Sequence, residues 1–180
     1  MTMPARFTLY DTIDRQITSF LARYGLTFLR VGLGFMYVWF GALKFFPGLS
    51  PAQEIAMRTM DRLTLGLIPD PAMMPILATW ETLIGLGLIF GVYLRATILL
   101  LAVQMIGAVS PLVLFPTEVF TRAPFAPTIE GQYIIKNIVV IGAAMVIGAT
   151  VRGGRVVAEP STDTTGAGRK PDTGLAQGNA

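Results

Sequence analysis

Apolar residues form four long runs, separated by short stretches where charge, proline or glycine collects. The first extends from about Leu26 to Phe46, roughly 20 residues, which at about 1.5 Å per residue crosses a hydrocarbon layer about 30 Å thick. From Ala72 to Phe115 the chain stays apolar, interrupted by Glu81, Arg95 and Gln104. A single helix of that length would be about twice as long as a bilayer needs, so the segment must fold back, and Gly91–Arg95 is the natural hairpin. A fourth run, from about Tyr133 to Val151, closes at Arg152, Gly153 and Gly154, where glycine can end a helix. The pattern predicts an all-α polytopic membrane protein, a bundle of four transmembrane helices over residues 26–157.

The flanking segments have their own patterns. Within residues 1–25, Tyr10, Ile13, Ile17, Phe20, Leu21 and Tyr24 recur at helical spacing opposite polar positions that include Asp14 and Arg15. This is either a short helix lying on the cytoplasmic face or a plain extension of the first span. Between spans one and two, Ser50, Pro51 and Gln53 form a capping-box pattern with proline at the first helical position. They open an outer helix near residues 51–67, whose face of Ile55, Thr59, Met60, Leu63 and Leu67 could rest on the bundle as a lid. Asp70 and Pro71 repeat the cap-then-proline signal at the start of span two. Residues 158–180 are rich in Thr, Gly and Pro, lack apolar periodicity, and read as a disordered cytoplasmic tail.

Composition agrees with a membrane class and removes much chemistry. Charged residues are 14% of the 180 and mean hydropathy is +0.60, against roughly 25% charged in soluble domains. The chain contains no Cys and no His. Disulfides, thiolate or imidazole metal sites and histidine general bases are therefore excluded, and no metal site is expected. A net charge of +3 is too small to point to nucleic acid in so apolar a chain; it sets orientation instead. Arg6, Arg15, Arg23, Arg95, Arg152, Arg155, Arg169 and Lys170 fall on one side of the four-span scheme, and Arg58, Arg62 and Arg122 on the other. The excess of cations marks the cytoplasmic side and places both termini there.

Function is to be sought in the polar residues that a bilayer disfavours. A charge at mid-bilayer costs at least about 2.5 kcal/mol on insertion scales, so such groups face protein and find partners. Arg30, Gly34, Tyr37, Gly41 and Lys44 are spaced 4, 3, 4, 3 and make one stripe along span one;. Helix direction brings Lys44, Glu81, Ser110, Lys136 and Asn137 toward the same half of the bundle, and leaves Arg30 at the other end near Arg95. Pro111 cannot bond the carbonyl of Gly107, adding an acceptor to that polar region. Glu81 is too short to reach the surface and calls for a cation, as a structural lock or as part of a ligand site. Lys44 and Lys136 could instead snorkel to the interface. Gln104 and Ser110 read first as interhelical hydrogen-bond donors, Gly87/Gly91 and Ala144/Gly148 as close-packing pairs. Trp39, Trp80, Phe45 and Phe46 read as interfacial or lipid contacts.

At these positions the chain resembles the DoxX-like group of small four-helix membrane proteins. The likeness rests on Trp39–Phe46 at the end of span one, on Glu81 with the hairpin Gly91–Arg95, and on Glu130–Asn137 opening span four. The segments around Lys44 and Lys136 also resemble a related family of inner-membrane proteins connected with oxidative stress. The resemblance implies a plasma-membrane protein acting as a subunit or accessory of quinone-linked oxidoreductases, in reduced-sulfur metabolism or redox defence. With no Cys or His, electron transfer would need a bound quinone or a redox partner subunit. Three functions follow as alternatives. A quinone-associated subunit would use Lys44 or Lys136 on a quinone carbonyl and Glu81 for its proton. A small anion transporter would use two Lys beside one Glu, and a scaffold would use the polar residues only to lock the helices. Beyond the lipid bilayer and such a redox subunit, the sequence names no partner and no oligomeric state.

Overall fold

The four apolar runs fold as four helical spans in a computed structural model that describes residues 5–50 and 53–154. The spans are Thr12–Leu43, Asp70–Phe90, Leu94–Leu114 and Ile129–Thr150. The first lies within α1 (Ala5–Leu43), which runs unbroken for 39 residues, so the N-terminal segment continues span one as a helical extension. The amphipathic α2 (Gln53–Thr64) follows, then α3 (Asp70–Phe90). At Gly91 (φ 68°) and Tyr93 (φ 48°) the backbone is left-handed, and this hairpin turns the chain into α4 (Leu94–Val109).

Span three continues through α5 (Pro111–Leu114), and span four is made of α7 (Ile129–Ile135) and α8 (Asn137–Thr150), which meet at Lys136. Between these spans lie the short α6 (Pro116–Val119) and a two-stranded antiparallel hairpin, β1 (Phe120–Arg122) and β2 (Ala126–Pro127). The hairpin was not expected from hydropathy, because strands this short carry no periodic signal. The Asp70–Pro71 signal shifts by one position: Pro69 flanks the helix and Asp70 lies within its first turn. Pro51 of the expected cap lies outside the described residues, as do residues 158–180. Gln53 does reach back, its side-chain oxygen accepting from the Gly48 N–H at 3.2 Å.

Helix α1 packs chiefly on α3, and α4 packs on α3 and α8. The core between them gathers Leu33, Tyr37, Ile84, Leu88, Leu101, Met105 and Ile147. Lipid offers little hydrophobic drive for helices to associate, so close backbone approach has to supply contact. Gly34 and Gly85 provide it. A Cβ on Gly85 would lie 2.6 Å from the Val38 nitrogen and 2.7 Å from the Gly34 carbonyl oxygen. The expected stripe on α1 therefore does face protein, at Gly34, Tyr37, Gly41 and Lys44. Its lower end, Arg30, lies against Gly91 of the hairpin.

A second cluster, Ile55, Phe115, Val119 and Ile134, ties α2 to the ends of spans three and four. Gly131 fits beneath the Val119 carbonyl where a Cβ would collide, and Thr128 caps α7 by accepting from the Gly131 N–H at 3.1 Å. Of the apolar face expected on α2, Ile55 and Thr59 are buried, but Leu63 and Leu67 are exposed. The helix ends at Thr64, and left-handed Leu65 and Gly66 carry Leu67 off that face.

Candidate functional site

Near the α2 end of the bundle, three spans contribute one polar cluster. Lys44 follows the last turn of α1, and its Nζ donates to Glu81 Oε2 at 2.7 Å. Glu81 Oε1 accepts from the Gln104 side-chain amide of α4 at 2.8 Å. The carboxylate thus has a partner on each oxygen, one charged and one neutral, and links α1, α3 and α4. Gly41 makes this reach feasible, since a Cβ there would stand 3.0 Å from Glu81 Cβ and 2.9 Å from Thr82 Oγ1. The side chains of Lys44 and Glu81 keep only 13% and 12% of their surface exposed. At that burial neither charge is tolerable alone, and together with the amide they form a neutral, hydrogen-bonded unit.

The cluster opens on a pocket of about 110 Å³ lined by Met36, Tyr37, Phe40, Lys44, Glu81 and Gln104. One of its polar atoms has no partner among the described residues. Gln104 Oε1 is buried and accepts no hydrogen bond, because an ionised Glu81 can only be met by the NH₂ end of the amide. Tyr37 is 7% exposed. The lining of this pocket adjoins, through Met36 and Phe40, a groove of about 210 Å³ formed with Phe35 and Trp39 on the outer side of α1. Trp39 is 57% exposed, as expected of a lipid contact. Trp80 differs from that expectation: its indole N–H donates to the Leu100 carbonyl at 3.2 Å, joining α3 to α4.

Three residues expected at the cluster do other things. Ser110 donates to the Gly107 carbonyl at 2.7 Å, the acceptor that Pro111 leaves without its helical N–H. The proline explains the serine, and neither lines the pocket. Lys136 Nζ lies 5.3 Å from the centre of the Tyr133 ring, an exposed cation–π contact within one turn of its own helix. Asn137 opens α8 and also lies outside the pocket lining. The lysine at the break between α7 and α8 can stay at the polar interface, so it has no need to enter the bundle. The two-lysine, net positive pocket expected from sequence becomes one lysine and one glutamate. Gln104 and Tyr37 belong to the site instead. Each had a signal in the sequence: Gln104 is the sole amide in its span, and Tyr37 sits on the stripe with Lys44.

The arrangement can hold a small polar head by hydrogen bonds and leave an apolar remainder in lipid. Among the described residues no group of three or more acidic side chains could hold a metal ion. On the α2 side, Arg58 joins Glu118 at 2.7 Å and stacks on Phe115 at 4.8 Å, fastening α2 to α6. Fold and site together define a multi-pass membrane protein with a buried ion pair across its spans. Residues 25–115 match the DoxX family, and the chain belongs to that family. The matched stretch holds the whole polar cluster, from Tyr37 and Lys44 to Gln104, while span four lies outside it. No curated protein and no solved structure matches the chain.

Proposed function

We propose that this DoxX-family protein is a quinone-associated accessory subunit of a redox system in the plasma membrane, and that Tyr37, Lys44, Glu81 and Gln104 receive the quinone head. The observation that carries the reading is the buried, unpartnered Oε1 of Gln104 beside a pocket bordered by a lipid-side aromatic groove. A buried polar atom without a partner costs about 1 to 3 kcal/mol, a penalty that a ligand hydroxyl would remove. The donor set suits a quinone in both redox forms. Tyr37 and Lys44 offer N–H and O–H donors to a carbonyl, and Gln104 Oε1 offers an acceptor to a hydroxyl. Glu81, hydrogen-bonded to Lys44, is the group placed to exchange a proton with the head. The pocket admits the polar edge of a ring, and Phe35, Trp39 and Phe40 offer faces for its apolar part. A bound quinone would supply the two-electron chemistry that no side chain of this protein can.

Titration of the protein in lipid nanodiscs with a short-chain benzoquinone tests this reading. Trp39 borders the groove, so saturable quenching of tryptophan fluorescence is expected, and Gln104→Leu should weaken it by about tenfold, the equivalent of one lost hydrogen bond to a buried polar group. Equal quenching in wild type and Gln104→Leu would contradict it. The fully paired Glu81 also supports a second reading, a scaffold whose polar residues only lock the helices; in that case no saturable quenching occurs.

The proposed orientation has both termini in the cytoplasm, following the excess of cations in the inner segments. A reporter active only outside the membrane should work when fused at Gln53 or Thr121 and fail at Ala180. The reverse pattern would invert the protein.

A further inference from the structure

Helix α1 is much longer than a bilayer requires. Of its 39 residues, about 20 cross the hydrocarbon, so its first half, to about Arg23, stands roughly 28 Å clear of it. Along that half, Tyr10, Ile13, Ile17, Phe20, Leu21 and Tyr24 are exposed by 79, 48, 54, 60, 59 and 49%. In water an apolar stripe of this kind needs a cover. At on the order of 200 Å² for a fully exposed large side chain, the six present roughly 700 Å², above the roughly 300 to 600 Å² of the largest patch on a typical monomer.

The stripe has a direction and a period. Tyr10, Ile13, Ile17, Phe20 and Tyr24 are spaced 3, 4, 3, 4, the seam of a two-heptad coiled coil. Asp14 and Arg23 flank the seam on either side, while Arg15 falls opposite it. The same face continues into the membrane through Phe28, Val31, Phe35 and Trp39, all exposed, and it points away from the Gly34 and Gly41 side that packs on α3. Copies of one polytopic chain enter a membrane with a single orientation, so their α1 extensions stand parallel and side by side. The five seam residues alone present roughly 600 Å² per copy, and the continuation of the same face through Phe28, Val31, Phe35 and Trp39 brings the area within reach of the roughly 800 Å² per partner of a stable interface.

We propose that two copies of this chain associate through the extension of α1, as a parallel helix pair along Tyr10, Ile13, Ile17, Phe20 and Tyr24. The contact leaves the faces of the bundle other than that of α1 free.

The absence of cysteine from the chain allows a direct test. Single variants Ile13→Cys, Ile17→Cys and Phe20→Cys on the seam, and Arg15→Cys and Ala22→Cys off it, are reconstituted in liposomes at low protein density and oxidised. Seam variants should form the disulfide dimer about tenfold faster than the other two, as expected where symmetric seam positions face each other. Dilution with more lipid should not reduce the yield. As a second measurement, Ile17→Asp combined with Phe20→Asp should convert the detergent-solubilised protein from dimer to monomer by light scattering, with its helical circular dichroism and melting unchanged. Equal cross-linking on and off the seam overturns the proposal. So does no cross-linking, whether the segment then lies on the membrane surface or binds a different protein, and so does a wild type that scatters as a monomer in nanodiscs and detergent alike.

Discussion

Glu81→Gln is expected to destabilise the protein by roughly 3 to 5 kcal/mol, because it leaves Lys44 buried against a neutral amide. Lys44→Met is expected to cost a similar amount, leaving the carboxylate with Gln104 as its remaining partner. The two losses should not add. Once Lys44 is Met, an amide at position 81 faces Gln104 with no charge left to strand, and the double variant should recover about 1 to 3 kcal/mol relative to the sum. Lys136→Met combined with Glu81→Gln should show no such recovery, since Lys136 rests on Tyr133. Thermal melts in one detergent of the three single and two double variants give both comparisons. Quinone quenching in the same samples separates roles: a double variant that is stable but does not bind makes the pair part of the site, and one that is stable and still binds makes it a lock. Additive losses for Lys44 and Glu81 would show that the ion pair contributes nothing to the fold.

The other large effect is expected at a glycine. Gly85→Ala places a methyl group 2.6 Å from the Val38 backbone nitrogen and 2.7 Å from the Gly34 carbonyl oxygen. Backbone cannot rotate aside as a side chain does, so α1 and α3 must separate along their longest contact. Overpacking a core typically costs about 1 to 3 kcal/mol, and more where nothing can move; here the separation would also stretch the Lys44–Glu81 pair one turn further along. Gly85→Ala should therefore lower the melting temperature far more than Gly142→Ala, whose added Cβ meets nothing within 4 Å. Similar yield and melting for the two variants would show that α1 and α3 are not held this closely.

Four spans were legible because length and hydropathy bear directly on crossing a bilayer. The demand of Glu81 for a cation was legible because a carboxylate cannot lie alone at that depth. Which cation answers it depends on helix rotation, and spacing fixes rotation within one helix but not between two. Lys44 shares its stripe with Gly34 and Gly41, the small residues that let α3 come close, and that conjunction selects it over Lys136. Ser110 was misplaced because its local partner, the carbonyl freed by Pro111, lies only three residues away. Spacing points to Gly87/Gly91 and Ala144/Gly148 as close-packing pairs, and Gly87 does pack tightly, against Thr97 of α4, but the closest backbone approach between spans one and two joins Gly34 to Gly85. Small-residue spacing along one helix cannot report which neighbour it meets.

The quinone head proposed for the pocket at Tyr37, Lys44, Glu81 and Gln104 can be observed on the protein itself. Native mass spectrometry of protein released gently from its membrane tests it most directly. A species carrying one quinone per chain is expected in the wild type and strongly depleted in Gln104→Leu, whose helical circular dichroism stays at the wild-type level although loss of the amide to Glu81 lowers its melting temperature. Phospholipid alone on both proteins, with no quinone on either, would contradict it.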